Sequence, residues 1–190
     1  MIHIKIYKTK KFREKIRYLD LGCGADKKPS YFGIDVVKLK GVNMVYDLNK
    51  GIPFPDNSIE KIYTSHFLEH VKYPLFLLEE IYRVLKKGGT AEITVPHWSW
   101  YGSYTFMHKS FFHSLDFDFL DQSHPANYYT KAKFKIISVK LDWGKGNRNI
   151  FLRIINALIN FILNINLRAS ENLLVKFLSP KEIRVVLKKI

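Results

Sequence analysis

Apolar residues in this chain recur in short runs through its first half. The segments Arg17–Leu21, Phe32–Val36, Asn43–Tyr46, Ser58–Ser65 and Thr90–Val95 read as strands, most of them bounded by Gly, Pro, Asn or Asp. Between the last two the period changes. Leu77, Leu78, Ile81 and Leu85 fall on one helical face, with Glu79, Glu80, Arg83 and Lys86 elsewhere, which predicts a helix over Pro74–Lys87. Pro74 suits a first helical turn, and Lys86-Lys87-Gly88-Gly89 reads as a basic last turn and a stop. Ala25–Tyr31 is too short for a full helix and is broken by Pro29. Strands alternating with a helix predict an α/β domain with a mostly parallel sheet.

The second half is less regular. Residues 97–133 are aromatic-rich and hold four of the seven histidines. Phe134–Trp143 reads as a strand, and Phe151–Leu167 as a helix whose one narrow polar stripe is Arg153, Asn156, Asn160 and Asn164. Five polar residues in those seventeen argue against a membrane span. The wide apolar face needs cover from the core, another subunit or a membrane surface, and the core of its own domain is the expectation. Ser170 is expected to cap a short helix ending at Leu178. Glu182–Lys188 alternates like a final strand, and residues 1–13 read as an edge strand or a loose basic lead.

A chain of 190 residues suits one domain. Its single cysteine, Cys23, excludes an internal disulfide framework and suggests a reducing compartment. No apolar segment of a secretory signal is visible in Met1–Lys10, so a cytoplasmic location is expected, with peripheral membrane contact through residues 151–178 as a variant of it. The net charge of +14 favours anionic partners such as nucleic acid, phosphorylated substrates or acidic lipid. Its lysines are scattered and accompanied by abundant Ile and Asn, which also fits a merely compositional origin.

The most informative stretch is Tyr18-Leu19-Asp20-Leu21-Gly22-Cys23-Gly24. A strand that ends in Gly-x-Gly can turn sharply and approach a ligand closely, since no Cβ intervenes. Asp35, at the end of the next strand, can accept hydrogen bonds from both hydroxyls of a ribose. Position 27 is Lys, so this is not the dinucleotide fingerprint, and no Gly-Lys-Ser/Thr follows to make a P-loop. A nucleoside without phosphates is the better expectation.

The order of the pieces resembles the class I S-adenosylmethionine-dependent methyltransferases of the type 11 group. It is carried by Leu19–Gly24, Gly33-Ile34-Asp35, Asp47-Leu48-Asn49 with Ile52–Asp56, His66–Val71, Glu79–Gly89 and Val95-Pro96-His97. The resemblance implies one Rossmann-like domain over residues 1–190, with a seven-stranded, mostly parallel sheet and an antiparallel last strand. It places a helical insertion at about 150–179 between the last two strands. It implies S-adenosylmethionine as cofactor. Gly22, Cys23 and Gly24 would approach its methionine part, and Asp20 would orient the amino group. Asp35 would hold the ribose, Asp47 and the Leu48 N–H the adenine, and Ser65 and His66 would close the pocket. The chain departs from the family in lacking most of the leading helix and in a very short first crossover. Singly, the glycines could be an ordinary turn, Asp35 a cap and Asp47 an Asx turn.

An activated methyl group needs little beyond alignment with its acceptor. A base is needed only where the acceptor must lose a proton, and the candidates are His108, His97 and His70. His66-Phe67-Leu68-Glu69-His70 also matches the inverted zinc-protease pattern, but it begins at a strand end, and no metal is expected. Trp98, Trp100, Tyr101, Tyr104, Phe106, Phe111 and Phe112 are candidates for an acceptor pocket, though half of them could be core. A small-molecule, glycan or lipid-intermediate acceptor is expected. RNA methylation and a non-catalytic binding role are the alternatives.

Overall fold

The computed structural model describes residues 15–144 and 149–190. The expectations for residues 1–13 and for the missing leading helix lie outside the described residues. Among the described residues seven strands form one sheet: β1 (Tyr18–Leu21), β2 (Phe32–Asp35), β3 (Met44–Val45), β4 (Ile59–Ser65), β5 (Leu85–Pro96), β6 (Phe134–Asp142) and β7 (Glu182–Lys189). Their order is β3-β2-β1-β4-β5-β7-β6. Neighbours from β3 to β5 pair in parallel, and β7 runs antiparallel to both β5 and β6. This is the mostly parallel sheet with an antiparallel last strand that the sequence predicts.

Along β4 and β5 buried positions alternate with partly exposed ones, so one face of the sheet carries most of the apolar core. Leu19, Leu21, Ile34, Ile62 and Ile93 are all buried. Helix α1 (Pro74–Val84) lays Leu77, Leu78, Ile81 and Val84 into the same core. Each such side chain contributes about 1.5–3 kcal/mol on burial.

Helix α1 ends three residues before the predicted stop. The carbonyls of Arg83 and Val84 accept from the N–H groups of Asn57 and Ser58, and Leu85 then pairs with Ile59 as the first residue of β5. The Lys-Lys-Gly-Gly signal therefore lies inside a strand. The pairing jumps from Ile59↔Leu85 to Lys61↔Thr90, so residues 86–89 bulge out of the ladder, with Gly88 at φ +80°.

No helix spans the first crossover, residues 22–31. Side chains cover the sheet there. Tyr31 meets Tyr18 and Tyr63 at ring separations of 5.5 and 6.4 Å. The Lys28 ammonium lies 4.0 Å from the Tyr63 ring centre and 2.6 Å from a Glu92 oxygen.

Two helices, α2 (Ile150–Ile165) and α3 (Leu167–Leu178), fill the connection between β6 and β7 and meet at a bend of 102°. Among the described residues no single helix is long and apolar enough to cross a membrane. Asn149 caps α2, and Asn166, not Ser170, caps α3. Ser170 is buried inside α3, at the start of a π-helical segment, Ser170–Leu174.

The face that α2 presents to the sheet corrects the sequence reading. Asn160 and Asn164 face inward beside Leu163 and Ile159, while most of the apolar residues face outward. Asn164 and Asn160 bond the backbone of Leu141 and Trp143 at the end of edge strand β6. Ile154, Leu158, Phe161, Ile162 and Ile165 are left exposed, Phe161 at 68%.

Candidate functional site

Because β1, β2 and β3 are parallel, their carboxyl ends share one edge of the sheet, where ligands of such sheets bind. The glycine turn after β1 is folded by two bonds. The N–H groups of Gly22 and Cys23 both donate to the Ile34 carbonyl, at 2.9 and 3.2 Å. Gly22 and Gly24 have φ of +63° and +53°, which side-chain-bearing residues resist. A Cβ on Gly22 would stand 2.1 Å from Phe67 Cγ, whereas a Cβ on Gly24 would meet nothing within 4 Å. The turn is thus packed on one side and open on the other.

Asp35 ends β2 and braces this turn. Its Oδ2 accepts from the Gly24 N–H at 2.9 Å, and its Oδ1 from the Val37 N–H at 2.9 Å. A carboxylate has about four lone-pair directions, so acceptor capacity remains. Asp47 begins an Asx turn, its Oδ1 accepting from the Asn49 backbone and side-chain amides, and these bonds hold its carboxyl below the usual range. Leu48, next to it, is buried. Asp20 is buried at the end of β1; burial pushes its carboxyl up, although its Oδ2 accepts from the Lys28 N–H at 2.7 Å. Cys23 is an inert thiol, pushed up to about 11 by burial and then by the charges of Asp20 and Asp35.

Ser65 ends β4, and the chain turns there through His66, which has a left-handed φ of +50°. A hydrogen bond to Glu182, and then the Glu69 carboxylate beside the ring, hold the His66 imidazole up at about 9. His66 Nε2 lies 3.1 Å from Glu182 and Nδ1 lies 3.5 Å from Glu69. Leu68–His70 is a short 3-10 turn, so His66 and His70 do not share a helical face and the zinc-protease geometry is absent. This turn is clipped to residues 107–109. The Lys109 N–H donates to the Glu69 carbonyl at 2.7 Å, and His70 Nδ1 donates to the Met107 carbonyl at 3.0 Å. The rings of His70 and His108 meet edge to face at 4.8 Å.

His70 and His108 are therefore brought together, and His97 stands apart from them. It is fully buried, with Nδ1 2.8 Å from Ser99 Oγ and Nε2 3.2 Å from both Glu171 oxygens. Burial pushes Glu171 up, but its hydrogen bonds with His97 and Ser114 prevail and hold it down at about 2. This network locks α3 to the segment after β5. Of the predicted aromatics, Phe112 is core and Trp98 packs on it, while Tyr101, Tyr104, Phe106 and Phe111 are exposed.

Four participants escaped the sequence reading in these roles. Phe67 fits against Gly22; Glu69, Glu171 and Glu182 are the carboxylates that face the histidines. Only Glu69 had a signal, through the His-x-x-Glu-His pattern. A cavity of about 440 Å³ lined by Arg17, Lys27, Tyr31 and Asn43 lies by the amino ends of β1–β3, away from this edge.

A family model described as a methyltransferase domain matches residues 5–139, more than half of the chain. No curated protein matches the chain in sequence. Among solved structures, a SAM-dependent methyltransferase from Archaeoglobus fulgidus superposes with a TM-score of 0.55 at 18% identity, covering 99% of this chain and 93% of that one. A SAM-dependent methyltransferase from Thermotoga maritima gives 0.56 at 15%, covering 100% and 91%. The [4+2]-cyclase SpnF gives 0.54 at 16%, covering 92% and 74%, so likeness at this level speaks for the fold alone. With the family matched over most of its length and the sheet order in place, the chain belongs to the class I S-adenosylmethionine-dependent methyltransferases.

Proposed function

We propose that the carboxyl edge of β1–β3 holds S-adenosylmethionine and that the acceptor enters beside His66, His70 and His108. The observation that carries this is the Asp35–Gly24 bond, which closes the glycine turn beside open space and leaves the carboxylate with capacity for ribose hydroxyls. The fit extends along the edge: Asp47 and Leu48 stand at the next strand end for the adenine, and Asp20 lies behind the turn for the methionine amino group. When bound, the cofactor supplies a methyl group already activated as a sulfonium. The protein's own work is to position the acceptor and exclude water. The exposed aromatics Tyr101, Tyr104, Phe106 and Phe111, in the segment clipped to His70, suit a small organic acceptor.

Calorimetry with S-adenosylmethionine and S-adenosylhomocysteine tests the reading. One site is expected. Asp35→Ala should weaken both ligands about 10- to 100-fold, from a charged hydrogen bond worth about 1.5–3 kcal/mol. Unchanged affinity would reject the assignment.

The outward face of α2 favours a lipid-linked acceptor reached at an anionic membrane. Its apolar side chains, with Leu173 and Phe177 of α3, are exposed, and Arg153 and Lys176 are exposed among them. Residues 150–169 contain no acid, and the chain carries +14, so two copies repel while an anionic surface attracts. Flotation with anionic but not neutral vesicles, lost in Phe161→Glu/Phe177→Glu, is expected. A stable dimer that never floats would reject it, and tight salt-dependent RNA binding would favour RNA methylation instead.

A further inference from the structure

We propose that Glu69, His70 and His108 bind one divalent first-row transition-metal ion. Glu69 is fully buried, and neither carboxylate oxygen has a hydrogen-bond partner. Two imidazole nitrogens stand near it, His66 Nδ1 at 3.5 Å and His108 Nε2 at 4.0 Å. Burying a carboxylate costs several kcal/mol, His66 offsets this only across 3.5 Å and without a hydrogen bond, and a cation bound directly would offset more of it.

The two histidines are set up as ligands by their other ring nitrogens. His70 Nδ1 faces the Met107 carbonyl at 3.0 Å, and His108 Nδ1 faces the Ser103 carbonyl at 2.9 Å. A carbonyl only accepts, so each Nδ1 carries the proton and each neutral ring keeps its lone pair on Nε2. Backbone carbonyls orient metal-binding histidines in this way.

One ligand atom from each of the three residues lies within 4.8 Å of the others. A tetrahedral ion with bonds of about 2.0–2.2 Å needs them about 3.3 Å apart. The bonds from the Lys109 N–H to the Glu69 carbonyl and from His70 Nδ1 to the Met107 carbonyl hold the three residues on one frame, within which closing that gap takes side-chain adjustment. Two imidazoles and one carboxylate suit zinc, iron(II) or cobalt(II) better than magnesium or calcium, which prefer all-oxygen sites. Three protein ligands leave a position open for water or an acceptor oxygen. None of the three is assigned to the S-adenosylmethionine edge, so the proposal stands independently of it.

The test uses the full chain stripped with a chelator. Co²⁺ is titrated by visible absorption and Zn²⁺ by calorimetry. One ion per chain is expected. His70→Ala and His108→Ala should each weaken binding at least 10-fold, and His113→Ala should leave it unchanged. Glu69→Gln should behave like the two histidine variants if circular dichroism shows it folded. If it does not fold, the histidine variants decide. Absence of stoichiometric binding would overturn the proposal and leave His66 as the partner that balances Glu69. So would binding that survives both histidine changes. S-adenosylmethionine calorimetry on the same samples reports the cofactor edge separately.

Discussion

Asn164 forms a two-bond ring with the backbone of Leu141. Its Oδ1 accepts from the Leu141 N–H at 2.9 Å, and its Nδ2 donates to the Leu141 carbonyl at 2.8 Å. With Asn160 accepting from the Trp143 N–H at 2.7 Å, a helix side supplies what a further strand would supply to edge strand β6. Asn164→Leu leaves both backbone groups of Leu141 without that partner. A loss of about 2–4 kcal/mol is expected in denaturant unfolding, since each buried unpaired group costs about 1–3 kcal/mol.

Gly22 and Gly24 should respond differently to the same change. Gly22→Ala meets the Phe67 ring as well as an unfavourable φ, whereas Gly24→Ala meets only the φ. Gly24→Ala should cost about 1–2 kcal/mol in thermal unfolding and Gly22→Ala clearly more. Adding Phe67→Ala to Gly22→Ala should recover the part of the steric cost due to the ring, the Phe67 Cβ at 2.6 Å being retained, so the double-mutant cycle should show coupling. Equal costs for the two glycines would refute the packing argument.

Acid should loosen α3 through Glu171. Its folded carboxyl is depressed from the ordinary 4.5 to about 2, so its contribution is present above pH 4.5 and is lost as pH falls through about 2. Glu171→Gln should flatten the pH dependence of stability in that window. The check is a series of urea midpoints between pH 5 and pH 2, about the range the two values span.

Arg83 ties the loop before β4 to α1. Its guanidinium donates to both Glu80 oxygens, to Asp56 and to the carbonyls of Ile52 and Phe54. The Arg83 bonds, outweighing burial, hold the Glu80 carboxyl below its usual range. Arg83→Met should cost about 2–4 kcal/mol, and Arg83→Lys should recover only a part, because an ammonium cannot reproduce the fork.

The sheet was legible because its strands obey local rules: apolar runs, glycine and proline boundaries, and acids at strand ends. Asp35 and Asp47 stand where the motif order puts them, yet each also makes the local bonds that a plain turn would use. Sequence alone cannot separate those two uses of one carboxylate. The end of α1 was misread because Gly88-Gly89 marks a bulge as well as it marks a helix stop. The sense of α2 was misread for a deeper reason. A stripe of asparagines is read as solvent-facing, and only the position of an unpaired strand edge makes it an inward face. The pairing of His97 with Glu171, 74 residues away, has no local signature at all.

The π-helical turn in α3 sets the rotation of the helix beyond it. Glu171 must reach His97 and Ser114 while Val175, four residues on, sits in the core. The widened turn over Ser170–Leu174 satisfies both. Winding the same five residues as ordinary α-helix would rotate everything beyond them by about 100°, the turn of one residue. Exposed positions such as Asn172 and Leu173 can therefore vary in side chain, provided the widened winding between the two anchors is kept.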